Sequence, residues 1–118
     1  MNEANNALLE RLREEHGGPN KVSFAELPCG TLVAVRTPKR AIWKTTVDKL
    51  AREKGEPDST QYNLVRQCLA APIKGDDLEP DREAFAALVE EYPGLVQAMF
   101  DGASKLARGG IQLDLTGN

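Results

Sequence analysis

"VAVRTPKRAIWKTTVDKL", Val33 to Leu50, changes character halfway along. It begins as an apolar, β-branched run of the kind strands favour. It then meets Thr37-Pro38 and continues with the spacing of an amphipathic helix. Thr37 is suited to cap that helix and Pro38 to open it, because the missing proline N–H would be unsatisfied at the first helical position anyway. Trp43, Val47, Leu50 and Ala51 then fall at i, i+4, i+7 and i+8, giving one apolar face. Four of the first twelve residues are basic: Arg36, Lys39, Arg40 and Lys44. That charge could grip nucleic acid or rim a protein surface.

Upstream, Lys21 to Leu27 and Thr31 to Arg36 are short runs rich in Val, Phe, Thr and Leu. Leu27-Pro28-Cys29-Gly30 separates them, with proline and glycine where a tight turn wants them. A β-hairpin follows. A lone hairpin is marginal in water, so it must lie on helices or extend another sheet. Before it, Leu8, Leu9 and Leu12 mark a short amphipathic helix or arm over residues 1–18, ending before Gly17-Gly18-Pro19. Its three leucines make a thin seam that needs a surface to pack on.

Downstream, Gly55 is placed to end the basic helix. The next helix opens near Asp58, with Gln61 three residues on as in a capping box. Tyr62, Val65, Cys68 and Leu69 line its inner face, and Pro72 stops it. Residues 73–79 read as an acidic loop. Another helix opens at Asp81 or Glu79, with Pro80 at its start, and presents Phe85, Leu88, Val89 and Tyr92 at helical spacing. Pro93 forces a bend at Tyr92. A last helix, about 93–108, carries Leu95, Val96, Met99, Phe100, Ala103 and Leu106 on one broad side. In the tail, 111–118, Ile111, Leu113 and Leu115 alternate with polar residues. Chain ends are usually poorly ordered, so a loose end is expected there in preference to an added strand.

The expected architecture is mainly α with a small β-hairpin. It is one domain over residues 19–110, the hairpin packed on a four- to five-helix bundle. Phe85, Leu88, Val89, Trp43, Val47, Leu50, Tyr62 and Val65 are the expected core.

The 118 residues suit a single domain, and 41% hydrophobic content is enough for a packed core. No run approaches the roughly 20 apolar residues of a membrane span. Met1 to Asn6 has no signal-peptide pattern, so a cytoplasmic protein with two reduced, separate cysteines, Cys29 and Cys68, is expected. The net charge is −3, but it is unevenly spread. Residues 31–54 hold seven bases against two acids, and residues 76–101 hold eight acids against one base.

Catalytic chemistry finds little to use. His16 is the one histidine, at a helix end where it suits the dipole. There is no nucleophile elbow for it to serve. Cys29, Cys68 and His16 lack zinc-ligand spacing, and the acids from Asp76 to Asp81 lack the EF-hand order. No enzyme activity, metal or cofactor is expected. A DNA-binding regulator using residues 36–54 is the alternative. Against it stand an isoelectric point of about 5.2 and a following helix whose one base is Arg66.

Three stretches in order resemble the small tail assembly chaperones of tailed bacteriophages. "LPCGTLVAVRTPKRAIWKTTV" resembles the hairpin of that family followed by Arg-x-Pro and a basic, aromatic-bearing helix. "YNLVRQCLAAP" resembles its middle helix, and "PDREAFAALVEEYPGLVQAMFDGASKLARGG" its closing helical pair. The likeness covers roughly Glu26 to Gly110 and rests on order and spacing. Cys29 departs from the acidic or Asn residue often found before the turn glycine, and the first helix lies outside the match. The resemblance implies a non-enzymatic protein of the infected cell's cytoplasm, absent from the mature virion. It would hold the tape measure protein and help recruit tail tube subunits. It also implies apolar docking surface rimmed by charge, for which Leu95, Met99 and Phe100, with Arg36, Lys39, Arg40 and Lys44, are the candidates. Self-association is a further possibility. Neither a specific nucleic acid nor a membrane is expected as a partner.

Overall fold

A computed structural model describes residues 1–52 and 57–109. The expected stop at Gly55, the capping box at Asp58 and the tail 111–118 lie outside what is described. Five α-helices surround a small antiparallel sheet, so the chain is mainly α. The first helix, α1 (Glu3–His16), is followed by a 3-10 turn (Pro19–Lys21). Strands β1 (Val22–Glu26) and β2 (Leu32–Arg36) lead into α2 (Arg40–Arg52) and α3 (Pro57–Gln67). Then come β3 (Leu69–Ala71), β4 (Ile73–Lys74) and β5 (Glu79–Pro80), and finally α4 (Arg82–Glu91) and α5 (Leu95–Ala107).

The hairpin forms in the expected place. Its turn closes through the Gly30 N–H donated to the Leu27 carbonyl at 2.8 Å. Gly30 sits at φ +90°, which suits glycine after a hairpin turn. The hairpin is part of a larger sheet, because β3 pairs antiparallel with β2, in the order β1-β2-β3. Here the sequence reading is corrected. Leu69 does not continue the helix toward Pro72: α3 ends at Gln67, and the chain crosses into the sheet. Helical spacing cannot tell a buried helix end from a short buried strand. The free edge of β2 decides it, with the Arg36 N–H donated to the Cys68 carbonyl at 2.8 Å. Residues 73–80 form a two-stranded ribbon, β4 with β5, around an exposed acidic turn.

The apolar run Leu32-Val33-Ala34-Val35 is buried throughout, so β2 has no solvent face. Val33 and Val35 point into a core built from α3, α4 and α5, with Leu64, Val65, Phe85, Met99 and Ala103. Leu32 and Ala34 point the other way, against Leu9 and Leu12 of α1. The first helix thus finds its surface on the opposite side of the sheet, and the molecule has three layers. Asn2 caps α1 by accepting from the Asn5 N–H at 2.7 Å. The Asn5 amide then donates to the Glu26 carboxylate and the Gly30 carbonyl, tying α1 to the hairpin.

Two details of α2 differ from expectation. Thr37 does not cap it: its N–H is donated to the Lys21 carbonyl, adding one rung to the hairpin, and the helix starts at Arg40. Its inner face is also rotated. Ile42, Trp43 and Leu50 pack on the core with Thr46, while Val47 is 43% exposed. Thr46 can be buried because its hydroxyl donates to the Ile42 carbonyl at 2.9 Å. Of the other expected core residues, Phe85 and Val65 are fully buried. Tyr62, Leu88 and Val89 pack partly buried around them. Of the two residues expected to open α4, Asp81 does so, accepting from the Ala84 N–H at 3.0 Å, while Glu79 and Pro80 form β5.

The two cysteines are free and differ sharply. Cys29 is exposed on the hairpin turn, and its contact with Thr31 lowers its thiol pKa. Burial pushes the Cys68 thiol up to about 11. A thiol-specific disulfide reagent at neutral pH is expected to titrate one thiol of the folded protein quickly and the second only after denaturation. Cys29→Ser should remove the fast phase. Two equally fast thiols would contradict the packing of Cys68.

Candidate functional site

The hydrogen bonds of β1 define the site. In an antiparallel pair, alternate residues exchange both backbone bonds with the partner, and those between point away. Lys21 accepts from the Thr37 N–H at 3.1 Å, and Leu27 donates to the Thr31 carbonyl at 2.9 Å. Given the β1–β2 register, Lys21, Ser23, Ala25 and Leu27 face β2. Val22, Phe24 and Glu26 therefore turn their N–H and C=O groups outward. Among the described residues no strand pairs with that edge.

A groove of about 570 Å³ runs along the edge. Arg13 and Phe24 form one wall, on the α1 side of the sheet. Gly102, Lys105 and Leu106 of α5 form the other, and Pro19 and Asn20 close one end. The closeness of the second wall depends on Gly102, which lies directly over Ser23. Phe24 is 39% exposed, with the Arg13 guanidinium 5.6 Å from its ring centroid. The Arg13 Nε is buried without a hydrogen-bond partner. The groove thus combines open peptide groups, one exposed ring and two cations. Such a surface suits strand addition, in which backbone bonds supply affinity and alternate side chains supply selectivity.

The seven residues expected to meet a partner do not form one surface. Arg36 donates to the carbonyls of Thr37 and Gln67 and so helps hold the junction of β2, α2 and α3 together. Lys39, Arg40 and Lys44 are exposed on the start of α2. Leu95, Met99 and Phe100 are buried, at 4%, 2% and 9% exposure. They belong to the core, with Trp43 of α2 covering Phe100 at 6.3 Å between ring centroids. The face of α5 is broad because it meets the sheet, α3 and α4 together, leaving those side chains closed to a partner. Phe24 lies on an exposed position of β1. The alternation of Ser23 and Ala25 with Val22, Phe24 and Glu26 was the one available sign of its position.

His16 is partly buried. Burial lowers its pKa, and the Arg36 charge acts in the same direction. Among the described residues, no group of three or more His, Cys, Asp or Glu could hold a metal ion. No described helix is long and apolar enough to cross a membrane. Comparison with family models, curated proteins and solved structures finds no match for this chain.

Proposed function

We propose that this chain is a non-enzymatic tail assembly chaperone of a bacteriophage, acting in the cytoplasm of the infected cell. It would bind the tape measure protein, and tail tube subunits, while the tail is built. The resemblance of residues 26–110 supports the family. The observation that carries the activity is the edge of β1, unpaired among the described residues, beside exposed Phe24. An edge of this kind bonds an extended apolar segment through its backbone and makes few demands on sequence. That suits a long client prone to aggregate. Lys39, Arg40 and Lys44 lie apart from the groove and attract acidic client segments.

Coexpression with a tape measure fragment from the same genome tests this. The chain is expected to keep the fragment soluble and copurify with it. Phe24→Pro deletes both the ring and an outward N–H that β2 does not use, a position where an edge strand tolerates proline. It is expected to cut capture at least about tenfold, equivalent to about 1.4 kcal/mol, with the circular dichroism unchanged. Arg40→Glu with Lys44→Glu should slow capture and alter its salt dependence. Unchanged capture by a folded Phe24→Pro variant would remove the edge as the client site. Nanomolar binding to one DNA duplex at physiological salt would favour the regulator reading.

A further inference from the structure

We infer that a second copy of this chain docks on the β1 edge, strand against strand about a two-fold axis at Phe24, so that two three-stranded sheets join into one. The pairing does not rest on the chaperone reading; its competition with a client does.

The regularity of the edge comes first. An edge strand offers its outward peptide groups to any other strand, and proteins blunt such edges with proline, lysine or a bulge. Strand β1, Val-Ser-Phe-Ala-Glu, contains none of these. It pairs with β2 in an unbroken register, whereas a register shift interrupts the pairing of β2 with β3. No strand among the described residues takes its outward groups.

Self-complementarity comes second. A two-fold axis makes each contact twice, residue i of one copy meeting j of the other and j meeting i. Antiparallel strands with the axis at Phe24 set Phe24 opposite Phe24 and Val22 opposite Glu26. In that register the outward residues become the pairs that exchange both backbone bonds. Their side chains all lie on the α1 face. Val22 packs with Leu9 and Leu12, the Arg13 guanidinium lies over Phe24, and Asn5 holds the Glu26 carboxylate at 2.6 Å. At the axis the two exposed rings meet, and aromatic pairs across strands are stabilising. At either end Glu26 of one copy comes beside Val22 of the other, where Arg13 lines the groove. There the carboxylate meets a guanidinium whose Nε is buried without a partner. A carboxylate accepting from a guanidinium makes a strong, charge-assisted bond. Moving the register by two residues would lose both the ring contact and the ion pair.

Sedimentation and amide hydrogen exchange of the full-length protein, over about a hundredfold range of concentration, test the pairing without any client. A monomer–dimer equilibrium is expected. The amides of Val22, Phe24 and Glu26 should gain protection as the dimer fills, with those of Ser23 and Ala25, which face β2, unchanged. Glu26→Arg alone and Arg13→Glu alone should each weaken the dimer at least about tenfold, since each sets like charges together at both ends. Mixing the two folded variants in equal amounts should restore association, because opposite charges then meet at both ends. A protein that stays monomeric at every concentration would overturn the pairing. So would protection unchanged by dilution, since the same chain would then cover its own edge, and so would a mixture that fails to associate. Binding of the tape measure fragment should release monomers. A dimer that persists with the fragment bound would overturn the competition and leave the pairing standing.

Discussion

Phe85→Ala is expected to lower the unfolding free energy by about 3–5 kcal/mol, among the larger effects of a single truncation. The ring is fully buried and stacks on Tyr62, with centroids 5.9 Å apart and planes 14° from parallel. It is the main anchor of α4, the one residue of that helix fully withdrawn from water. The cavity left behind has little freedom to close. Val33 and Val35 on the sheet side are held by backbone pairing to β1 and β3, and Val65 by α3. Urea denaturation followed by circular dichroism is the measurement. With a slope of about 1–3 kcal/mol per molar urea, the midpoint should fall by more than about 1 M. A midpoint that does not move would mean that α4 does not pack as described.

Gly102→Ala is expected to destabilise by about 1–3 kcal/mol, as overpacking does, against the helix-propensity gain of about 1 kcal/mol that alanine normally brings. The sign reverses because a Cβ at position 102 would collide with the Ser23 hydroxyl and lie 2.9 Å from its Cβ. The hydroxyl can swing away, but the Cβ is fixed to a strand paired with β2. Either α5 or β1 must shift, and both belong to the groove. Ser23→Gly in the same chain should restore most of the loss, so a double-mutant cycle should show strong coupling. A Gly102→Ala protein more stable than the original would refute the close approach of α5 to β1.

Much of the fold was legible in local patterns. Asp81 caps a helix whose apolar residues follow helical spacing. Leu27-Pro28-Cys29-Gly30 turns the hairpin, and Tyr92-Pro93 breaks the closing pair of helices. Each depends on backbone groups within a few residues of one another. The misplaced features have another origin. Thr37 could have capped α2, but its N–H and its hydroxyl both donate to the Lys21 carbonyl across the hairpin, and the helix starts only at Arg40. Leu69 to Ala71 could have prolonged α3, but the free edge of β2 satisfies their backbone instead. The candidate site was less legible than the fold. The apolar face of α5 was visible as a face, but burial of Leu95, Met99 and Phe100 depends on three other elements meeting there. Phe24 shares a face of β1 with Val22, but Val22 is covered by the cluster with α1 and Phe24 is not.

By itself, the sequence determined where chain direction changes and which segments are helical, since dihedral preference, capping and periodicity act over short spans. It also determined the charge asymmetry between residues 31–54 and 76–101. Only the tertiary structure decided that β2 is buried on both faces, that α1 covers the side opposite the other helices, and that the outward peptide groups of Val22, Phe24 and Glu26, between Arg13 and Lys105, pair with no strand among the described residues. These are matters of strand order and layer assignment. They depend on contacts between segments far apart in the chain, each of which could pair acceptably in more than one way until the whole is assembled.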